Sequence, residues 1–145
     1  MNRTDKAVAC FKQGFSCSQA IVSTFAEGTG LERETALKVA AGFGGGMARM
    51  GLTCGAVTGA IIVLGLKHGA TSAEDLQAKQ KTYQLVRDFT AKFKARHGSI
   101  VCKELLGGID LSTQEGMEQA KRTDVINTLC PKFVQHAAEI LEEIL

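Results

Sequence analysis

Five cysteines are the residues of this 145-residue chain whose type and placing point to chemistry. They stand at Cys10, Cys17, Cys54, Cys102 and Cys130. An odd number cannot all pair as disulfides within one chain. The thiolate is the form that ligates metal, attacks disulfides and oxidises, so the surroundings that favour it decide the chemistry. Four of the five fall in or beside the first turn of an expected helix. Cys17 follows Ser16, which forms a capping box with Gln19. Cys54 follows Thr53, an expected N-cap. Cys102 comes shortly after Ser99, in a segment of one or two helical turns. Cys130 directly precedes Pro131, a residue suited to a first helical position. A helix N-terminus offers unpaired N–H donors and about half a positive charge, and both favour thiolate. Cys10, beside Phe11 and away from such a start, reads as core packing.

Three readings compete for the four. In the first, Cys17, Cys54, Cys102 and Cys130 ligate an iron–sulfur cluster or another metal for electron transfer, since four thiolates are a standard cluster ligand set. Their gaps of 37, 48 and 28 residues do not suit a structural zinc site, which pairs ligands two to four residues apart. In the second, the site is metal-free, and the same four are redox thiols doing thiol–disulfide chemistry, with Cys54 the best nucleophile because Gly55 leaves its surroundings open. In the third, the chain is a helical binding module without redox chemistry, partnering for instance a membrane transporter. Gly55 and Gly59, with Gly51, recur every four residues and so share a face. Glycines in a helix cost about 1 kcal/mol each relative to alanine. Close approach of another helix offsets that cost, and so does a cofactor against the bare backbone.

The elements that must position these residues read as all helical. Apolar residues make up 45% and there is a single proline, so a core and long helices are both available. Three- and four-residue apolar steps mark a first helix ending at Gly14, a second through Ile21, Val22 and Phe25, and a third from about Glu32. An apolar helix follows from Cys54 to Leu66. A long one capped by Ser72 carries Leu76, Tyr83, Val86, Phe89 and Phe93 to His97-Gly98. Ser112-Thr113-Gln114-Glu115 is a further capping-box candidate. A last helix from about Pro131 carries Phe133, Val134, Ala137, Leu141 and Ile144. No segment alternates with period two. The expected fold is all-α, residues 1–145 as one domain, a bundle of about six or seven helices.

A net charge of +2 speaks against a nucleic-acid binder. The N-terminus lacks a secretory pattern, so a cytoplasmic location is expected. The uncharged stretch from Met50 to Leu66 is short and glycine-rich for a membrane span, and reads as a buried core helix. His68, His97 and His136 show no metal spacing, although His97 stands close to Cys102 in sequence. Gly42 to Gly46 lacks the ending of a phosphate loop and follows a helix rather than a strand. The basic band Lys79, Lys81, Arg87, Lys92, Lys94 and Arg96 reads as a solvated face. A redox partner is implied but unidentified, and a homodimer through the long or last helix is an open expectation.

The pattern of Cys17, then Cys54-Gly55-Ala56-Val57-Thr58-Gly59, then Cys102, then Cys130 resembles the redox-active family named C_GCAxxG_C_C after its cysteines. The family label writes Gly-Cys-Ala where this chain reads Cys-Gly-Ala, the same motif loosely written. The segment Cys102-Lys103-Glu104-Leu105-Leu106-Gly107 is also similar, and the resemblance runs from about Ala7 to the end. It implies a redox role for the four cysteines, with Gly55 and Gly59 beside them. A related domain occurs in split-Soret cytochromes, where an iron–sulfur centre has been suggested beside haem. This chain has no Cys-x-x-Cys-His, so c-type haem is not expected. Cys10 stands outside the pattern.

Overall fold

The computed structural model describes all residues, Met1–Leu145. It is all-helical, with eight α-helices: α1 (Arg3–Lys12), α2 (Cys17–Phe25), α3 (Arg33–Ala40), α4 (Gly55–His68), α5 (Leu76–His97), α6 (Cys102–Leu105), α7 (Gln114–Thr123) and α8 (Val125–Ile144). The count slightly exceeds the six or seven read from the sequence. A single 3-10 turn, Ala41–Phe43, continues α3.

The centre of the bundle is α2. Ala20, Ile21, Val22 and Phe25 on it are fully enclosed. It is surrounded because α1, α3, α4 and α8 all pack against it. Its start is fixed by the expected capping box: Ser16 accepts from the Gln19 N–H, and the Ser16 N–H donates to the Gln19 side chain at 3.1 Å. That box orients Cys17, the first helical residue. Ser18 is buried in the next position and donates to the Ala40 carbonyl at 2.9 Å, tying α2 to the end of α3.

The two glycines of α4 explain how it reaches α2. A methyl group at Gly55 would lie 3.1 Å from the Ser18 nitrogen, and one at Gly59 3.1 Å from the Ser18 Cα. Helix packing therefore offsets the cost of both glycines. Gly51 does not share their face. It precedes the helix in a left-handed conformation with φ 74°, so the four-residue spacing is helical only from Gly55 onward. No helix is long and apolar enough to cross a membrane. The uncharged stretch before Lys67 is instead mostly buried in the core.

Several helix ends differ from the sequence reading. Cys54 itself, not Thr53, is the N-cap of α4. Asp75, not Ser72, caps α5 through the Ala78 N–H, while Ser72 bonds Glu74. Thr113 caps α7 by accepting from the Gly116 N–H. The largest difference is α8, which begins at Val125 rather than near Pro131. It starts directly after α7, across Asp124, a single residue with φ 54°. The apolar face carrying Val125 and Phe133 buries as one unit, and that burial carries the helix through the proline.

Along its outer side, α8 is stapled by side chains from its neighbours. Lys92 and Arg96 of α5 reach Glu143 and Glu139, each at 2.8 Å, and Arg3 of α1 bonds both oxygens of Glu142. These exposed pairs set register more than they stabilise, at about 0–1 kcal/mol each. They also place part of the basic band of α5 on carboxylates of this chain.

Candidate redox site

A short backbone pairing sets two of the cysteines side by side. Thr53 and Val101 form an antiparallel bridge. The Cys54 N–H donates to the Ile100 carbonyl at 2.8 Å, and the Cys102 N–H to that of Leu52 at 2.6 Å. In this register Cys54 and Cys102 lie on one face as diagonal neighbours. Cys17 opens α2, which α4 crosses closely at Gly55. A Cβ there would come within 3.3 Å of the Cys17 Cβ, so glycine lets Cys17 stand against the start of α4. Cys130 comes from the fourth direction, within α8.

All four thiols line one cavity of about 800 Å³. Gly55 shares its wall, as do Gly44, Gly45, Gly46, Asn127 and Pro131. Gly59 does not; it packs on Ile21 and Ser18. Cys10 is also apart, buried between α1 and α2 with its sulfur 3.7 Å from Ser23 Oγ. His97 is apart too. Its Nε2 lies 2.8 Å from Nδ1 of His136, and its ring packs on Phe93 and Phe133.

Cys130 is not at a helix start, contrary to the sequence reading. It lies inside α8, one residue before an interior proline. Pro131 has no N–H to donate, so the Asn127 carbonyl loses its usual helical donor. The disturbed turn of the helix is the one that borders the cavity.

The thiols differ in acidity for separable reasons. The neighbouring Cys130 side chain holds Cys17 in the thiol form, well above the ordinary range, with burial and the other sulfurs adding to the rise. The Cys17 side chain in turn holds the Cys130 thiol below its ordinary value, against the effect of burial. Burial pushes Cys54 up to about 12, although the N–H groups of Ala56 and Val57 favour its thiolate. Burial likewise pushes Cys102 up to about 11, with a further push from Cys130. The helix-start argument therefore holds as a local attraction at Cys54, where desolvation outweighs it. Cys130, rather than Cys54, is the most acidic of the set.

The glycine segment after the 3-10 turn is the part whose role the sequence left unassigned. Gly45 and Gly46, then Met47, Ala48 and Arg49, all have positive φ, from 51° to 70°. A left-handed residue other than glycine costs about 1–2 kcal/mol, so three in succession are a concentrated strain. The turn presses on the site. A Cβ at Gly46 would lie 2.6 Å from the Cys102 Cβ. The glycine run was the visible signal for this approach; the three strained residues after it gave none.

As the side chains stand, no three His, Cys, Asp or Glu groups are close enough to share a single metal ion. The sulfurs ring a cavity instead, on four separate elements, with glycine in its wall where larger residues would fill it.

The cysteine layout matches a family model described as "Putative redox-active protein (C_GCAxxG_C_C)" over residues 15–144. The chain belongs to the C_GCAxxG_C_C family. No curated protein and no solved structure matches it significantly. The match begins at Phe15, just before the capping box, and therefore covers all four cavity cysteines of this C_GCAxxG_C_C chain while leaving Cys10 outside. Family membership supports redox activity; it names no cofactor.

Proposed function

We propose that this protein is a cytoplasmic electron-transfer protein whose cavity holds an iron–sulfur cluster on Cys17, Cys54, Cys102 and Cys130. The observation that carries the reading is the convergence of four thiols, from four separate elements, on one cavity. A dithiol mechanism needs two of them. When bound, the cluster would supply reversible one-electron chemistry. The protein's part is to place the four sulfurs, give up their protons and exclude water. Cys54 and Cys102 must lose protons that burial now holds tightly, so loading releases protons and is favoured by higher pH. Anaerobic reconstitution with ferrous iron and sulfide tests this. The native chain should take up both and colour, and serine at any of the four cysteines should reduce uptake. Uptake that is the same in a Cys54→Ser, Cys102→Ser double variant would contradict it.

The opposite shifts that Cys17 and Cys130 impose on each other across the shared cavity favour a second reading, a metal-free dithiol. The Cys130 thiolate would attack one sulfur of a disulfide substrate, releasing the other as a thiol. Cys17 would then attack the mixed disulfide and release the second thiol. The protein is left with a Cys17–Cys130 disulfide and two fewer electrons, both now on the substrate. Non-reducing peptide mapping after oxidation separates the readings, since only this one requires that bond as the resting oxidised form.

A further inference from the structure

The strained turn at Gly44–Arg49 is held together by its own backbone, with one exception. Every N–H from Met47 to Leu52 donates to a backbone carbonyl, at 3.0–3.2 Å. The N–H groups of Gly44, Gly45 and Gly46 donate to no group in the protein. These three successive residues line the thiol cavity, and Gly46 is buried. Successive free N–H groups in a turn form an anion-binding concavity.

The charges around the cavity point the same way. Lys12, at the end of α1, and Arg49, at the end of the left-handed turn, are the charged residues in its wall. Both are exposed, and neither makes an ion pair. No carboxylate lines the cavity. Two residues with unpaired cations and three glycines with free N–H groups, from separate segments, therefore border one space whose wall holds no carboxylate.

We propose that Gly44, Gly45 and Gly46, with Lys12 and Arg49, form an anion site in the wall of the thiol cavity, which receives the anionic oxygen group of a ligand brought beside the cysteines. The remaining wall is largely apolar, including Phe11 and Phe15. The group can therefore come as a free oxyanion or at the end of an apolar molecule. The inference does not rest on what the thiols hold, because the donors belong to a different segment.

The test is an amide NMR titration of the reduced, metal-free protein with inorganic phosphate and with phenyl phosphate, using sodium chloride as an ionic-strength control. The amide signals of Gly44, Gly45 and Gly46 should move with the phosphates and not with chloride. Affinity should fall about ten-fold in a Lys12→Gln, Arg49→Gln double variant, as for lost charge-assisted bonds. Both positions are exposed, and the spectrum of the variant reports its folding directly. Tighter binding of phenyl phosphate identifies an organic anion and equal binding a free oxyanion; either outcome upholds the site. Glycine signals that stay fixed under both ligands, or equal affinity in the folded double variant, would overturn it.

Discussion

Cys17, the first residue of α2, and Cys130, in an interior turn of α8, line one cavity and shift each other's acidity in opposite directions. This pairing separates the four thiols by acidity. It also makes one of them, Cys130, the group whose reactivity is set by a partner rather than by burial alone.

Alkylation should follow that order. At about pH 8, somewhat below an ordinary thiol pKa, limiting iodoacetamide should label Cys130 first. Cys54 and Cys102, whose thiols are pushed up to about 12 and about 11, should be labelled last. Cys17→Ala removes the neighbour that lowers the Cys130 thiol and should slow labelling there. Peptide mass mapping over time checks this, and preferential early labelling of Cys54 would contradict the assigned acidities.

Two glycines of α4 should respond oppositely to the same substitution. Gly59→Ala places a methyl 3.1 Å from Ser18 and Ile21, an overpacking that should cost about 1–3 kcal/mol. Gly65→Ala meets nothing within 4 Å and should gain up to about 1 kcal/mol from helix propensity and the less flexible unfolded chain. Urea unfolding of the two variants measures both. Equal effects would mean that the α2–α4 crossing is looser than described.

Stability should also fall on mild acidification. Burial and the neighbouring His136 and Arg96 hold the His97 pKa below 6.5. The unfolded chain therefore takes up a proton at His97 more readily than the fold does. The stabilisation is complete above about pH 6.5, the unfolded value, and is lost as pH falls through the folded pKa. The carboxylates Glu139, Glu142 and Glu143 are shifted below 4.5, so their losses begin at lower pH. His97→Gln should flatten the midpoint of thermal unfolding between about pH 7 and pH 5. An unchanged slope would show that His97 carries no linkage.

Local signals were legible in the sequence where one turn of helix decided the outcome. Ser16 and Gln19 announce α2, and with it the position of Cys17. Gly98, with φ 81°, closes α5 where expected. Cys130 was misplaced because Pro131 favours a helix start, whereas the buried face of α8 overrides that preference from further away. Asp124 hid the boundary between α7 and α8, since a left-handed aspartate carries no glycine-like mark. The Thr53–Val101 bridge is one residue pair long, too short to show alternation. The convergence of four thiols depends on these long-range pairings, and no local pattern contains them. The glycine spacing in α4 was visible, but only packing against Ser18 shows that Gly59 serves the crossing and Gly55 both the crossing and the cavity.

Whether the four cavity cysteines act together as one cluster-binding site is decided by anaerobic purification followed by the visible spectrum and assays of iron, zinc and acid-labile sulfide. The proposal predicts a coloured protein that contains iron and sulfide, lacks stoichiometric zinc, and keeps Cys17, Cys54, Cys102 and Cys130 protected from alkylation while it stays native and loaded. A colourless, metal-free protein with Cys17, Cys54, Cys102 and Cys130 all alkylatable, before and after reconstitution, would contradict it.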